Sequence, residues 1–251
     1  MPSTSSGDSS IDAGSFEAFF DGWIVRHKNF VEELLRAQQS YDESWEDAIR
    51  GLIYRVLAHL HEYYQEKSRM IRRDVSLVFS PPWFTALERT FFWIAGFRPQ
   101  LAFSLVMRSV NDFTENQSQR IQRLTHDAEM EAEVLAEELA RVQESVAAPP
   151  VSDLAKQVGR RVANGGEIRY LDTMPEALKS KMENLLIDAD LLRRRIVQEV
   201  VEILSPAQNM RFLGDAIQLH LRIRELGRQR EAEAEQLQHE REMGGRQFLS
   251  S

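Results

Sequence analysis

Cysteine is absent from all 251 residues. That excludes a disulfide framework, a thiolate zinc site and a cysteine nucleophile, and it agrees with a reducing compartment. Glycine and proline number only 12 and 8, too few punctuation points for a chain of many short strands, so long helices are favoured. No uninterrupted apolar run approaches the roughly 20 residues needed to cross a bilayer. The opening MPSTSSGDSSIDAGS contains no Lys or Arg and no apolar segment, so it is neither a secretory signal nor an Arg-rich transit peptide. Residues 1–15 are expected to form a disordered leader, and the protein to be soluble in the cytoplasm or nucleus. A formal net charge of −8 argues against general coating of nucleic acid, which needs clustered cations.

What is present is helical periodicity. Phe16, Phe19, Phe20, Trp23, Ile24, His27, Phe30, Val31, Leu34 and Leu35 keep to one face of a first helix, for which Ser15 suits the N-cap. A second helix is expected from about Asp42–Ser44 through Trp45, Ile49, Leu52, Ile53, Val56, Leu57, Leu60, Tyr63 and Tyr64 past Lys67, with a break or short separate helix in SRMIRRDVSLVF. Ser80-Pro81-Pro82 predicts a helix start capped by Ser80, and Gly96 a left-handed residue to end that helix. Pro99 opens the next helix, and Thr114 caps a long acidic one reaching about Ser145. AAPPVSD, residues 147–153, is the clearest internal boundary, followed by a turn at Asn164-Gly165-Gly166. Two further helices are expected, from about Pro175 to Leu204 and from Pro206 onward, the last running into a charged tail at 231–251. The expectation is an all-α bundle of about eight helices over 16–230, in one domain or two closely packed halves.

A search for catalytic chemistry returns nothing convergent. The chain has no Gly-rich phosphate loop, no His-Glu-x-x-His motif and no Gly-x-Ser-x-Gly elbow. The acidic run THDAEMEAEVLAEELA spreads its carboxylates around a helix surface instead of pairing them. LLRRR at 191–195 and RIRELGRQR at 222–230 stand beside acidic residues and read as solvated or salt-bridged faces. Of the six histidines, His27 reads as a satisfied core residue. His59 and His61 point apart and do not share a metal. His126 and His239 lie on polar faces. His220 turns inward or to a groove and is the candidate axial ligand for a haem. No metal ligand set and no catalytic residue is expected.

The stretch SPPWFTALERTFFWIAGFRP resembles the most recognisable segment of the plant delay-of-germination (seed dormancy control) family, whose domain is shared with TGA-type bZIP transcription factors. The residues that carry the likeness are Ser80, Trp83, Leu87, Glu88, Arg89, Trp93, Gly96, Phe97, Arg98 and Pro99. Upstream, AHLHEYYQEK is similar to a family segment through His59, Glu62, Tyr64 and Lys67, and SFEAFFDGWIVRHKNFVEELL to its first helix through Trp23. The likeness covers about residues 16–230. It implies an all-α, non-enzymatic plant regulator of dormancy, germination or a related programme, acting through protein partners. Type 2C protein phosphatases of abscisic acid signalling and TGA-type factors are the partners it implies, with a pollen-aperture branch as an alternative. It also permits a haem-binding sensor, a transcriptional cofactor and a homo-oligomer. Direct sequence-specific DNA binding is not implied, because no basic zipper is present. The aromatic block has two readings: a helix whose Trp83, Leu87, Phe91 and Ile94 form one buried face, with Glu88 and Arg98 fixing the turn, or an exposed partner groove.

Overall fold

The computed structural model describes residues 6–39, 45–79, 81–147 and 175–248. Within them the chain forms eight helices: α1 (Ser6–Gln39), α2 (Glu46–Arg73), α3 (Val75–Phe79), α4 (Ala86–Thr90), α5 (Gln100–Ser109), α6 (Glu115–Ala147), α7 (Glu176–Ile203) and α8 (Pro206–Phe248). No strand occurs among the described residues; the nearest approach is a single antiparallel bridge between Phe92 and Phe97. The all-α expectation holds. Ser80, Asp42–Ser44, the boundary at 148–153 and the turn at 164–166 lie outside the described residues.

Local chemistry accounts for most boundaries. Thr114 and Gln117 exchange backbone-to-side-chain hydrogen bonds at the start of α6, and Ser205 and Gln208 do the same at the start of α8, so each helix opens on a reciprocal cap. Asp74 separates α2 from α3, its carboxylate accepting from Ser76 Oγ and Leu77 N. The α1 helix begins ahead of the expected cap, at Ser6, leaving Ser15 in its interior.

α8 is the central element, packing along α1 and against α2, α4 and α5, while α6 and α7 pair on the other side. The core has two lobes. One gathers Val31, Leu34, Ile53, Val56, Val106, Ile196, Val200 and Leu213. The other holds Phe16, Phe20, Trp23, Ile71, Trp83, Phe84 and Leu186. Leu60, Trp93, Leu135 and Leu221 pack against both.

The block between Pro81 and Pro99 departs from expectation. Only Ala86–Thr90 is helical, capped by Thr85 in a capping box with Glu88. Trp83 and Ile94 are buried, but Phe91 is 42% exposed, so the four residues form no common helical face. The left-handed positions are Ile94 (φ 46°) and Ala95 (φ 53°), not Gly96. Each such residue costs roughly 1–2 kcal/mol, and tertiary bonds to the loop offset that cost.

Candidate functional site

The segment from Phe92 to Phe97 folds back on itself, with Trp93 N donating to Gly96 O at 2.7 Å. Its carbonyls converge on two buried cations. Lys67 Nζ on α2 donates to Ala95 O at 2.7 Å. Arg193 on α7 donates to Phe97 O at 2.8 Å, to Ile94 O at 3.0 Å and to Trp93 O. Asp190, one turn earlier on α7, neutralises both, at 2.9 Å from Lys67 Nζ and 2.6 Å from Arg193 Nη1. Burial pulls the Lys67 ammonium down to about 8 against the opposing pull of Asp190. These bonds hold Ile94 and Ala95 in their left-handed conformation.

Gly96 is required by this clamp. A Cβ there would stand 2.8 Å from Arg193 Cζ and 3.0 Å from its Nε, inside the guanidinium that holds the loop. Gly96→Ala is therefore expected to unmake hydrogen bonds to a buried charge and to lower stability by about 2–3 kcal/mol in urea unfolding. A variant as stable as the parent would show that Arg193 does not hold the turn.

A second polar cluster crosses the base of α4. Glu88 is fully buried and accepts from Thr85 N at 2.8 Å and from Arg224 Nη1 at 3.2 Å. Arg224 also donates to Trp83 O at 3.0 Å and lies over the Phe20 ring at 4.7 Å. The expected pairing of Glu88 with Arg98 is not made; α8 supplies the cation instead. α8 approaches closely enough for this because residue 227 is glycine, where a Cβ would meet Thr85 Oγ1 at 2.1 Å. Burial pushes the Glu88 carboxyl up, but hydrogen bonds from His220 and Thr85 and the charge of Arg224 outweigh it, leaving the group below the ordinary carboxylate range.

From Glu88 a line of three imidazoles runs into the bundle. His220 Nε2 stands 3.5 Å from Glu88 Oε1, His220 Nδ1 is 3.4 Å from His27 Nε2, and His27 Nδ1 is 3.1 Å from His59 Nε2. Trp23 stacks on both His27 and His59, with centroids 4.3 and 4.6 Å away, and donates Nε1 to His59 O at 2.9 Å. A carboxylate stands at each end of this line, Glu88 Oε1 at 3.5 Å from His220 Nε2 and Glu62 Oε2 at 3.9 Å from His59 Nδ1. Buried Glu88, the nearer of the two, favours hydrogen on His220 Nε2; with it there, His220 Nδ1 is open to accept from His27 Nε2, and His27 Nδ1 from His59 Nε2. In that order His27 and His59 carry hydrogen on Nε2.

Burial, then the charge of Arg26, brings His59 down to about 4 from 6.5, and burial with the neighbouring imidazoles pushes His27 well below its ordinary value. Above pH 6.5 both rings are neutral folded and unfolded. Between 6.5 and 4 the unfolded chain binds protons that the folded chain refuses, so stability falls as pH drops. Glu88 adds a loss in the same direction as pH falls from the ordinary carboxylate range through its depressed folded value. Melting temperature is expected to decline steadily from pH 6.5 to 4, and His59→Gln to flatten the upper part of that slope. Parallel slopes for parent and variant would mean that His59 does not contribute.

The remaining motif residues support these clusters. Glu62 pairs with Arg26 at 2.9 Å on the surface. Burial and the charge of Asp190 push the Tyr64 hydroxyl up to about 12. Trp83 is buried against Phe16, with centroids 4.3 Å apart. Leu87 is half-buried, and exposed Arg89 donates to the carbonyls of Pro81 and Phe84. Trp93 lies under the Arg193 guanidinium at 5.5 Å. Phe97 packs edge-on to Phe92 and His220. Buried Pro99 caps α5, and Arg98 is exposed. Arg193 and Arg224 belong to clusters that read from sequence as solvated or salt-bridged faces, and Asp190 carries no signal in the sequence. They are buried, and nothing near them in sequence marked them out. No group of three or more His, Asp or Glu suited to a metal ion occurs among the described residues. His220 does turn inward, as its spacing suggested, but its ring nitrogens face His27 and Glu88, so axial ligation of haem would require the ring to leave that line.

A cavity of about 660 Å³ lies beside the imidazoles. His27 and His220 stand in its inner wall, and Tyr54, Arg98 and Gln198 at its exposed rim.

The seed dormancy control (DOG1) family profile matches residues 31–108, a span that includes the α2 motif and the clamped loop. Over 236 residues the chain is 37% identical to the Protein RESPONSE TO ABA AND SALT 1 of Arabidopsis thaliana, covering 92% of this chain and 100% of that protein. This chain belongs to the seed dormancy control family. Protein ZW2 of Arabidopsis thaliana is 32% identical over 230 residues, 90% of this chain and 100% of that protein. Transcription factor TGA2.3 of Oryza sativa subsp. japonica is 27% identical over 201 residues, 79% of this chain and 59% of the factor. The resemblance read from the aromatic block is thereby confirmed, including the sharing of the domain with TGA factors. No described helix is long and apolar enough to cross a membrane.

Proposed function

We propose that this chain is a non-enzymatic plant regulatory protein that acts by binding other proteins, within abscisic acid and salt responses or the control of dormancy and germination. The observation that carries the reading is the end-to-end match to a relative named for its response to abscisic acid and salt. The interior supports it. The buried Lys67, Asp190, Arg193, Glu88 and Arg224 are spent on one another and on backbone carbonyls, an arrangement that fixes a scaffold. Partners of the expected kind are type 2C protein phosphatases and TGA-type factors, in the nucleus or cytoplasm. A plant line without the protein should germinate with altered sensitivity to abscisic acid or salt, and affinity purification from developing seed should recover such partners. Normal germination on both treatments together with no specific partner, in pollen as in seed, refutes the proposal.

A transcription-linked role is favoured by one further observation, the alignment of 79% of this chain with TGA2.3. Coprecipitation with a zipper-bearing factor tests it, and the same experiment with two differently tagged copies of this chain tests self-association. A haem-sensing role asks His220 to abandon Glu88 and His27. Hemin added to the purified protein is expected to give no saturable Soret shift that His220→Ala removes; a shift of that kind would restore the haem reading.

A further inference from the structure

The cavity beside the imidazole line touches the Lys67–Asp190–Arg193 cluster at one end and extends well beyond it. Its walls are helices. The Lys67–Asp190 bond joins α2 to α7 at one end. From there the lining residues step away along both helices at helical spacing: His61, Leu57 and Tyr54 on α2, and Arg194, Val197 and Val201 on α7. Leu101 and Leu105 of α5 form a third wall, and α8 closes the floor with Phe212, Leu213 and Ile217. Apolar residues spaced by three and four along three helices over about two turns, or roughly 11 Å, make the mould of one more helix.

Two properties of this mould point to what fills it. Leu57, Leu101, Leu105, Val197 and Val201 are each only half-buried, so a row of aliphatic groups faces water that a packed core would exclude. The charges at its ends differ. Arg193 Nε bonds Phe97 O at 2.8 Å, which brings the next residue of each segment, Arg194 and Arg98, to the same end of the groove. Neither guanidinium makes a hydrogen bond or ion pair among the described residues, unlike Arg193, Arg195 and Arg224. Eight residues along α7 from Arg194, about 12 Å away, Glu202 lines the opposite end. In a chain of net charge −8, two cations without a described partner beside an apolar groove form a local attraction for acidic groups.

We propose that this groove docks an amphipathic helix of a partner protein, apolar face down, with acidic residues of that helix seated between Arg98 and Arg194. The inference rests on the protein-binding role proposed above and names the surface and partner chemistry for it. The groove accepts leucine-like anchors at i, i+3, i+4 and i+7, and the arginines fix the direction in which the helix lies.

The test uses the full chain and a fluorescein-labelled 15-residue helical peptide with leucines at i, i+3, i+4 and i+7 and three glutamates in one terminal turn. Saturable binding by fluorescence anisotropy is expected, weakening with added salt. A peptide with lysines in place of the glutamates should bind at least 10-fold more weakly, as should the acidic peptide to the Arg98→Glu/Arg194→Glu protein. Ala102→Trp, which fills the groove from the half-buried lining position on α5, should abolish binding, with circular dichroism confirming the fold. Equal affinity for the acidic and basic peptides, no saturable binding, or binding that survives both variants overturns the proposal. So does a fluorescent fatty-acid probe that saturates the site while the peptide does not, which would assign the groove to a small amphiphilic ligand. Affinity purification with the Arg98→Glu/Arg194→Glu protein separates the two levels. Partners retained by that variant leave the regulatory reading standing and remove this groove from it, whereas partners captured by neither protein remove the reading itself.

Discussion

Asp190→Ala is expected to cost about 3–5 kcal/mol, the range for removing one partner from a buried ion pair. The carboxylate is the counter-charge of two cations at once, 2.9 Å from Lys67 Nζ and 2.6 Å from Arg193 Nη1, and those side chains are themselves only 3% and 6% exposed. Without it, two positive groups remain in a low-dielectric interior with carbonyl oxygens as their only described hydrogen-bond partners. Such a loss is a large fraction of the roughly 5–15 kcal/mol that holds a typical domain together. Urea unfolding of the single variant and of Lys67→Met/Asp190→Ala decides whether charge is the cause. The double variant should be more stable than the sum of the single losses, because it deletes one stranded cation with its partner. Strict additivity, or a loss under 1 kcal/mol for Asp190→Ala alone, would show that the cations are solvated and that the loop does not depend on them.

Glu88→Gln keeps the volume of the side chain and removes its charge, and is expected to lower stability by about 3 kcal/mol because Arg224 is left buried beside a neutral amide. Arg224 is 5% exposed and Glu88 fully buried, so water does not replace the lost partner. The same substitution has a second readout. Glu88 favours hydrogen on His220 Nε2 and, through it, on Nε2 of His27 and His59, and nitrogen-15 NMR of the imidazoles is expected to find His27 and His59 in that tautomer in the parent. In Glu88→Gln the terminal group donates as well as accepts, the polarity of the line is no longer imposed, and the spectra should show a mixture or the opposite tautomer. Nδ1–H rings in the parent would mean that Glu88 does not govern the line.

These two clusters explain the family's motif residues in physical terms. Glu88 is present because it caps α4 and receives α8. Gly96 is present because Arg193 occupies the space of its missing side chain. Trp23 holds two imidazoles by their faces and one backbone carbonyl by its indole N–H. Each partner comes from a different helix. Arg193 lies 97 positions after Gly96, and Arg224 136 positions after Glu88.

Helix existence, most boundaries and the inward faces of α1 and α2 are legible because periodicity and caps are local. Thr114 meets Gln117, and Ser205 meets Gln208, within one turn of chain. The aromatic block was read correctly as a family mark and incorrectly as one helix. Its helix-like spacing of Trp83, Leu87, Phe91 and Ile94 competes with carbonyl bonds to Lys67 and Arg193 that no local pattern reveals. The histidines illustrate the same limit. His27 reads as a core residue by its place on an apolar stripe and is one, but its contact with His59 and His220 joins three helices.

The amino-acid order alone therefore determined that the chain is helical, where its caps and apolar stripes lie and which family it resembles, since all of these are carried by residues within a turn or two of each other. Tertiary structure alone decided that two arginines from seemingly solvated clusters are buried, that three imidazoles stand in one line ending on Glu88, and that, among the described residues, an apolar groove between α2, α5 and α7 has two arginines without a partner at its rim. Those outcomes depend on which distant helices meet, and the charge and hydrogen-bond balance of a buried group is set by its neighbours in space.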